Sequence, residues 1–351
     1  MMNDQPSLMT LPFPEGVGRI DGILEGYQRY QAVLAALDLG VFEFLDKVGA
    51  CNRDEIAEGT GINGLFVRDF LAVLVEAGLI HQDADRYRNT PATTDFLLPG
   101  SPYDQGDVVR NVARNSPWAD LAAALTRKAH LPTKGSSSAA APNSGPSPAF
   151  LSALGQKALR GELQAVTSAI SGWQGFRQAR RLLDVGGGHG LYAIALCQAN
   201  PDLRAVVLDQ AGVVDSARRY IADYGLEDRV SAEVGDVCAR SIGSGYDMVL
   251  ISHLLYKFRK NLAPIFAAVQ ASLKPGGLFA SNHWFCAAGC AVEDSAVQGL
   301  TKALQSFGHP LCREEEFDRL FAEAGFEILV TTSAATPFGP TRLQLAEKRL
   351  G

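Results

Sequence analysis

Three glycines at alternate positions follow a short apolar stretch and form the most distinctive chemical feature of this chain. The segment RLLDVGGGHG has Asp184 ahead of Gly186, Gly188 and Gly190. It has the pattern of a strand that enters a glycine loop, and the helical pattern LYAIALCQA begins directly afterwards. Glycines let a ligand lie close against the backbone, and the free N–H groups of a helix N-terminus bind an anion or a carboxylate. The segment therefore predicts a nucleotide-type ligand pocket.

The spacing of the loop distinguishes between two kinds of ligand. A dinucleotide loop, G-x-G-x-x-G, requires glycine at the position that Leu191 occupies. The arrangement here is D-x-G-x-G-x-G, and the next apolar stretch, LRAVVLD, ends on Asp209. These two stretches resemble the first two motifs of the class I S-adenosylmethionine (SAM) methyltransferases. The resemblance implies that the loop binds the methionine part of SAM and that Asp209 accepts hydrogen bonds from the ribose hydroxyls.

Composition and charge describe a globular protein that is long enough for two or three domains. The chain has 351 residues, 47% hydrophobic and 20% charged, with a net charge of −6. An acidic chain lacks the field that holds phosphate backbones, so nucleic acid is not an expected partner. The six cysteines are scattered, and only Cys286 and Cys290 lie close together, without a second pair at zinc-site spacing. We expect reduced thiols and a cytoplasmic location. We expect no membrane span, because no run approaches about 18 apolar residues.

The N-terminal third has the pattern of a helical module. Residues 1–16 predict an arm, whereas residues 17–100 predict helices joined by a glycine turn and followed by a small hairpin, which is a winged-helix pattern. The second helix of the motif does not suit DNA, because Asp69 and Glu76 accompany its single arginine, Arg68. Small-molecule O-methyltransferases of the plant and bacterial antibiotic type have a winged-helix dimerisation domain of this size. That resemblance implies a homodimer formed through the N-terminal domain.

Residues 101–175 predict a helical connector between two domains. A Ser/Ala/Pro-rich segment near residues 131–148 interrupts the helical spacing and predicts a flexible loop, with a lid over the acceptor as the alternative. The FLSAL segment after it resembles the helix that lines the acceptor site in the same family. We therefore expect Phe150 and Leu154, together with Trp118, to contact the acceptor.

Strands and helices alternate through residues 176–351. Near-continuous apolar strands in this alternation predict a parallel sheet with helices on both faces, a doubly wound, Rossmann-like α/β domain. Ligands of such sheets bind at the carboxyl ends of the strands. We therefore expect one edge of the sheet to carry Asp184, Asp209, Asp236, Ser252 and His283.

The resemblance to the methyltransferases covers nearly the whole chain and is strongest from residue 182 to residue 277. It includes the VGDV and LKPGG segments. It implies that Asp236 accepts a hydrogen bond from the adenine amino group and that Val237 lies against the purine. Ser252 stands where relatives often have lysine. The SAM contacts that the resemblance implies are Asp184, Gly186, Gly188, Asp209, Gln210, Asp236, Val237 and Ser252.

The segment after the fourth strand of the predicted sheet departs from the family pattern. Family members have a histidine there, in a His-Asp-Trp stretch, and it deprotonates a phenol because an imidazole has a pKa of about 6.5. This chain reads ISHLLYKFRKN and has Tyr256 at that place. His283 and Pro310 stand where relatives have an acid and a glutamate.

Two interpretations of the altered segment remain open. The LLY sequence is similar to that of the methyltransferase that acts on a carbon of the bacteriochlorophyll macrocycle, which also has tyrosine there, and this resemblance favours carbon methylation. Alternatively, His253 replaces the missing base, because on a helical turn it faces the same side as Tyr256. We assign catalytic roles to Tyr256, His253 and His283.

Three histidines raise the question of a metal. His253, His283 and His309, with Tyr256 or Cys286 nearby, could converge on the acceptor pocket as metal ligands. Hydrogen-bonded pocket histidines are the competing interpretation, and spacing across separate elements does not distinguish the two. We favour pocket histidines, group His309 with the acceptor-binding residues and assign no metal.

Together these patterns predict a SAM-dependent methyltransferase. The expected acceptor is a flat, largely apolar small molecule, aromatic or macrocyclic, methylated at oxygen or at a ring carbon. SAM carries the reactive sulfonium, so the protein mainly aligns the reactants and excludes water. The alternative is an enzyme of the same fold that keeps SAM as a positive charge and catalyses a decarboxylation or a rearrangement. The missing base favours this alternative.

Overall fold

The computed structural model describes residues 16–126, 146–238, 241–291 and 295–350. Contacts divide the chain into two units, Met1–Gly106 and Asp107–Gly351. The predicted N-terminal arm and most of the Ser/Ala/Pro-rich loop fall outside the described residues. Among the residues that are described, no helix combines the length and the apolar character that crossing a bilayer requires.

The first unit contains the predicted winged helix. Asn52 begins its first helix with a capping box, in which the Asn52 side chain and the Glu55 side chain each bond to the other residue's backbone N–H. Buried side chains from neighbouring helices, among them Phe42, Ile56 and Leu71, form the core of the unit. The elements are α1 Gly18–Asp38, α2 Val41–Val48, α3 Arg53–Thr60, α4 Gly64–Glu76, β1 Ile80–Asp83, β2 Arg86–Asn89 and α5 Pro91–Phe96.

The apolar residues of helix α1 are buried only in the second half of the helix. Leu34 and Leu37 are buried, whereas Ile20, Ile23 and Tyr27 are 58%, 70% and 62% exposed. The spacing of these three residues places them on one face of the helix. A contiguous apolar stripe of this kind marks a contact surface for another protein chain.

The second unit is an α/β domain with a mixed β-sheet and helices on both faces of the sheet. Its helices are α6 Gly106–Arg114, α7 Leu121–Thr126, α8 Pro148–Ala158, α9 Glu162–Ser171, α10 Leu191–Ala199, α11 Val214–Asp223, α12 Ala263–Ser272, α13 Ala296–Gln305 and α14 Glu314–Glu323. Its strands are β3 Arg181–Val185, β4 Arg204–Asp209, β5 Val230–Val234, β6 Tyr246–Ser252, β7 Leu273–His283, β8 Phe326–Ala334 and β9 Thr341–Lys348.

Within the described residues the strands form one sheet in the order β5-β4-β3-β6-β7-β9-β8. Strands β3 to β7 are parallel, as predicted. Buried apolar side chains form two clusters on opposite faces of the sheet, with Leu182 in one cluster and Leu183 in the other. The doubly wound prediction is confirmed. The sheet also contains one antiparallel strand that the alternating pattern did not predict, β9, which pairs with both β7 and β8. Antiparallel neighbours need only a short connection, so no helix separates β8 from β9.

The predicted polar edge is present at the carboxyl ends of the strands. Asp184 lies near the end of β3, Asp209 ends β4, and Ser252 and His283 end β6 and β7. Asp236 follows β5 by two residues. The chain passes from β3 to β4 on one side and later to β6 on the other, so this edge includes the switch point where ligands of such sheets bind.

The sequence pattern from Phe150 to about residue 173 predicts one long helix, which is wrong, because the structure has two helices there. The chain turns at Gly161, whose φ of 114° lies in a region that side-chain-bearing residues rarely adopt. This turn ends α8 and makes Glu162 the first residue of α9. The break has a functional consequence, since it brings a carboxylate to the edge of the sheet.

The exposed stripe of α1 generates the first prediction. We expect the full chain to be a dimer and the substitution Ile23→Asp to weaken its self-association by roughly tenfold or more, because the new charge would be desolvated in an apolar contact. Analytical ultracentrifugation over a concentration series measures the change. Gln28→Asp adds the same charge at an exposed polar position of α1 and should leave the association intact. An unchanged association constant for Ile23→Asp would exclude the stripe as the interface.

Candidate functional site

The glycine loop leaves room for a ligand next to its backbone. Gly186 and Gly188 have φ values of 69° and 56°, and the Gly186 N–H donates to the Leu208 carbonyl at 2.7 Å. A Cβ atom added to Gly187 would lie 2.6 Å from Oδ2 of Asp184, whereas one added to Gly188 would meet nothing within 4 Å. The loop therefore packs tightly on the strand side and is open on the other side.

Two carboxylates lie beneath this loop, and they differ in their hydrogen-bond partners. Asp184 is buried, and its Oδ2 has no hydrogen-bond partner among the described residues. Asp209 accepts the Gly188 N–H at 2.9 Å and the Gln210 N–H at 2.7 Å. Burial and, second, the charge of Asp209 raise the pKa of Asp184 to about 7. A cationic ligand would relieve this cost, because an unpaired buried carboxylate is unfavourable.

SAM fits this arrangement chemically. Its methionine part carries an ammonium group. This group would donate hydrogen bonds to Asp184 and provide the positive counter-charge that the buried carboxylate lacks. The carboxylate of Asp209 retains acceptor capacity for hydroxyl donors, because each oxygen accepts only one backbone bond here.

The remaining predicted SAM contacts lie along the same edge. Val237 is buried and Asp236 is exposed, with its Oδ1 accepting the Cys238 N–H at 2.8 Å. Gln210 is exposed, and the Ser252 hydroxyl accepts a hydrogen bond from Asn282 at 3.1 Å. These positions are compatible with the predicted roles, and the individual contacts remain predictions.

Further along this edge, Tyr256, His253 and Glu162 form a hydrogen-bonded chain. Nδ1 of His253 lies 2.9 Å from the Tyr256 hydroxyl, and Nε2 lies 2.5 Å from Oε1 of Glu162. The Trp284 backbone N–H donates to the same tyrosine oxygen at 2.6 Å. The tyrosine hydroxyl can therefore donate a hydrogen bond to Nδ1, which places the proton of a neutral His253 on Nε2, facing the carboxylate.

Glu162 is the functional residue that the sequence interpretation missed. It is 91 residues from His253 in the chain, and it lies in a loop-to-helix segment without a recognisable motif. Burial alone would raise its pKa, but the charge and hydrogen bond of His253, with hydrogen bonds from Asn282 and Tyr192, outweigh burial and lower it. Glu162 is therefore a buried carboxylate that stays ionised.

The backbone at His253 is held in an uncommon conformation. Its φ of 54° lies in the left-handed region, which costs a residue with a side chain roughly 1–3 kcal/mol. The His253 N–H donates to the Asn282 carbonyl at 2.9 Å, and this bond fixes the turn at the end of β6. Strain that the surrounding structure maintains is typical of functional positions.

His283 has a different environment from His253. Its Nε2 accepts the Leu255 N–H at 3.2 Å, and its Nδ1 lies 3.1 Å from the Ser281 hydroxyl. Complete burial, with a smaller effect from His253, lowers its pKa well below the ordinary value. His283 is completely buried and cannot be reached by an acceptor, so the geometry favours a positioning role for this predicted catalytic residue.

Aromatic side chains surround the exposed part of His253. The His253 ring centroid is 4.3 Å from that of Trp284, which in turn lies 5.9 Å from Phe338. The Lys157 amine lies over the Phe338 ring, 5.3 Å from its centroid. Burial and, second, Arg160 lower the pKa of Lys157 to about 8. This wall suits a flat, largely apolar molecule.

The predicted acceptor-binding residues have two kinds of surroundings. Phe150 and Leu154 lie on α8 and are half-buried, as is Trp118 in a short 3-10 helix, and their contacts with an acceptor remain predictions. His309 lies against two cysteines, with Nδ1 at 3.2 Å from the sulfurs of both Cys286 and Cys312. Among the described residues, His253 and His283 do not join His309 in a group of potential metal ligands.

Comparison with known families decides the class of protein. Residues 148–327 match the O-methyltransferase domain, and residues 22–99 match the O-methyltransferase dimerisation domain. The chain belongs to the O-methyltransferase family. It is a SAM-dependent methyltransferase, and the predicted cofactor and fold class are confirmed.

Known relatives and a solved structure agree with this assignment. A 3-hydroxy-5-methyl-1-naphthoate 3-O-methyltransferase of Streptomyces sahachiroi is 30% identical over 257 residues, 72% of each chain. The N,N-dimethyltransferase OxyT of Streptomyces rimosus is 27% identical over 320 residues, 86% of this chain and 88% of the relative. Human N-acetylserotonin methyltransferase, solved in complex with SAM, has the same fold, with a TM-score of 0.73 at 19% identity over 96% of this methyltransferase and 99% of the human chain.

The pKa of Asp184 predicts a pH dependence of SAM binding. At pH 8 the carboxyl group is ionised and attracts the cationic cofactor, whereas at pH 6 it is mostly protonated. We expect the Kd for SAM to be about tenfold higher at pH 6 than at pH 8, because the binding-competent fraction changes by that factor. Isothermal titration calorimetry measures the Kd.

Two variants test whether Asp184 causes this dependence. Asp184→Asn should bind SAM weakly and lose most of the change with pH. Asp223→Asn removes an exposed aspartate at the end of α11 and should retain the full change. The assignment is wrong if Asp184→Asn shows the same pH dependence as the parent enzyme.

Proposed function

We propose that this methyltransferase transfers the methyl group of SAM to a hydroxyl oxygen of a flat, largely apolar small molecule, with His253 as the base. The observation that carries the proposal is the pair formed by His253 and the buried carboxylate of Glu162. A carboxylate that stays ionised beside an imidazole stabilises its protonated form, and this is the property that a proton acceptor needs.

The reaction balances with one proton moving to the enzyme. The acceptor oxygen attacks the SAM methyl group as the bond from the sulfonium to that methyl breaks, and the cofactor leaves as a neutral thioether. The hydroxyl proton passes to Nδ1 of His253, where the acceptor hydroxyl replaces the Tyr256 hydroxyl as the hydrogen-bond donor, and Nε2 of the resulting imidazolium keeps its proton toward Glu162. Glu162 is only 9% exposed at its side chain, while His253 is 26% exposed, so His253 is the member of this pair that an acceptor can reach.

Tyr256 holds the base and does not replace it. Burial raises the pKa of its hydroxyl well above the ordinary value, so tyrosinate is not available at neutral pH. Its oxygen bonds to Trp284 and His253, and it is almost completely buried. Tyr256, which stands at the position of the family's base, therefore orients His253, which lies three residues earlier in the chain.

The names of the relatives support a small-molecule acceptor without fixing the atom that is methylated. One is a 3-O-methyltransferase acting on a naphthoate and another is an N,N-dimethyltransferase. The aromatic wall of Trp284 and Phe338 suits a ring system of this size. The dimerisation domain supports a homodimer.

A second candidate is methylation at a ring carbon, or a step that does not consume SAM. Tyr256 at the family's base position favours it, because neither reaction requires removal of a phenolic proton by a histidine at that place. Methyl-labelled SAM distinguishes the candidates. Label in an O-methyl product supports the proposal, label on carbon supports the ring-carbon candidate, and turnover without label transfer supports the non-methylating one.

Single substitutions test the roles of the hydrogen-bonded chain. We expect His253→Ala to lower kcat by roughly 10²–10⁴-fold, the usual contribution of a general base. Glu162→Gln should lower kcat less, because the base remains and loses only its counter-charge. Tyr256→Phe should lower kcat least. Initial rates with labelled SAM measure all three effects.

The Kd for SAM provides the control for these substitutions. It should stay within about twofold in each variant, since Asp184 and Asp209 are unchanged. His81→Ala removes an exposed histidine of β1 and should have the parent rate. A parent-like kcat for His253→Ala would eliminate it as the base.

A further inference from the structure

Three cysteines and one histidine from two neighbouring segments of the sequence converge beside the end of β7. We call Cys286, Cys290, His309 and Cys312 the Cys/His cluster. Their four potential ligand atoms all lie within 4.8 Å of one another. The proposed methyl transfer uses none of the three cysteines, and His309, predicted above to contact the acceptor, lies against two of them. We propose that the Cys/His cluster binds one Zn²⁺ ion as a structural site.

The distances within the Cys/His cluster match tetrahedral zinc. Zn–S bonds of about 2.3 Å and Zn–N bonds of about 2.0 Å at tetrahedral angles place two sulfurs about 3.8 Å apart and a sulfur and a nitrogen about 3.5 Å apart. Cys286 Sγ lies 3.7 Å from Cys312 Sγ and 3.5 Å from Nε2 of His309, and Nδ1 of His309 lies 3.2 Å from both sulfurs, within a few tenths of an ångström of these values. The sulfurs are much farther apart than the length of about 2.05 Å in a disulfide.

The orientation of His309 also agrees with metal binding. Its Nδ1 lies 3.2 Å from the sulfurs of both Cys286 and Cys312, and its Nε2 lies 3.5 Å from that of Cys286. An imidazole binds zinc through either ring nitrogen, and both nitrogens of His309 lie close to a cysteine. The Pro310 carbonyl oxygen lies 3.0 Å from Nδ1, and zinc-bound histidines typically have a carbonyl or a carboxylate of this kind beside the ring.

The backbone brings the two halves of the Cys/His cluster together independently of any metal. Phe285 and Leu311 form a parallel bridge, with the Cys286 N–H donating to the Leu311 carbonyl at 2.8 Å. The Arg259 guanidinium donates to the carbonyls of Ser306, Phe307 and His309. The four ligands are therefore held by the ordinary hydrogen bonds of two loops.

A tight turn brings the fourth ligand into place. Gly289 and Cys290 both have left-handed φ values, 68° and 56°, and the Cys290 N–H donates to the Ala287 carbonyl at 2.9 Å. The resulting C-x₃-C spacing lies within the range that zinc sites use. The second pair is the H-x₂-C segment His309–Cys312, which a search for pairs of cysteines alone does not find.

Four protein ligands leave no open position on the metal, so the site is structural and takes no part in the reaction. Its effect is to join the segment after β7 to the segment before α14. Trp284 lies two residues before Cys286 and donates to Tyr256. Zinc would therefore stabilise the acceptor side of the active site while leaving the SAM side unaffected.

Metal content of the full chain tests the proposal. The protein is produced in zinc-supplemented medium, purified without chelator and analysed by inductively coupled plasma mass spectrometry. We expect about one zinc per chain, falling roughly tenfold in Cys286→Ser and in Cys312→Ser. Cys238→Ser removes an exposed cysteine outside the Cys/His cluster and should retain the zinc. His309→Cys should also retain it, because four thiolates form a zinc site of the same geometry.

Binding of SAM shows whether each variant is folded. A variant that loses zinc and keeps the parent Kd for SAM supports the proposal. Two results would overturn it: a parent protein that contains and takes up less than about 0.1 zinc per chain after incubation with ZnCl₂, or zinc retained in both Cys286→Ser and Cys312→Ser. Neither result depends on methyl transfer, so the proposed reaction and the proposed zinc site can fail separately.

Discussion

The buried carboxylate of Glu162 is the constraint on which the catalytic edge depends. One oxygen of this side chain contacts Nε2 of His253 and accepts a hydrogen bond from Asn282 at 2.7 Å. Burying an ionised group without such partners costs several kcal/mol, so α9, β6 and β7 must meet in this register. The turn at Gly161, the strained backbone of His253 and the pairing of β6 with β7 are all needed to bring the partners together. Removing any one of these features would leave a buried charge unpaired.

The same edge contains carboxylates in two contrasting states. Glu162 is satisfied by side chains of the protein, and its charge is retained in the absence of any ligand. Asp184 lacks a partner on Oδ2, and its raised pKa shows that the charge is not stabilised by the chain itself. In the proposed mechanism the first arrangement supports the base, and the second leaves a buried carboxylate that a cation can pair with. The surroundings therefore lower the pKa of Glu162 and raise the pKa of Asp184.

Local sequence was sufficient for the SAM loop and for the parallel part of the sheet. The glycine pattern and the acids at strand ends act within a few residues, so their geometry follows from the motif itself. The catalytic edge was harder to predict, because Glu162 and His253 meet only after the sheet has formed. The Cys/His cluster was missed for the same reason, since its two short pairs come from separate loops. The antiparallel strand β9 follows β8 without an intervening helix, so the alternating pattern does not mark it.

Strand β9 has a further consequence for how the enzyme is made. It lies between β7 and β8, and its residue Arg342 pairs with His283 at the end of β7. Until residues 341–348 have left the ribosome, β7 is an open edge strand with unpaired backbone groups. The SAM loop, formed by β3 and β4, can fold much earlier in synthesis than the catalytic edge. A nascent chain would therefore complete β3 and β4 well before β7 can pair with β9.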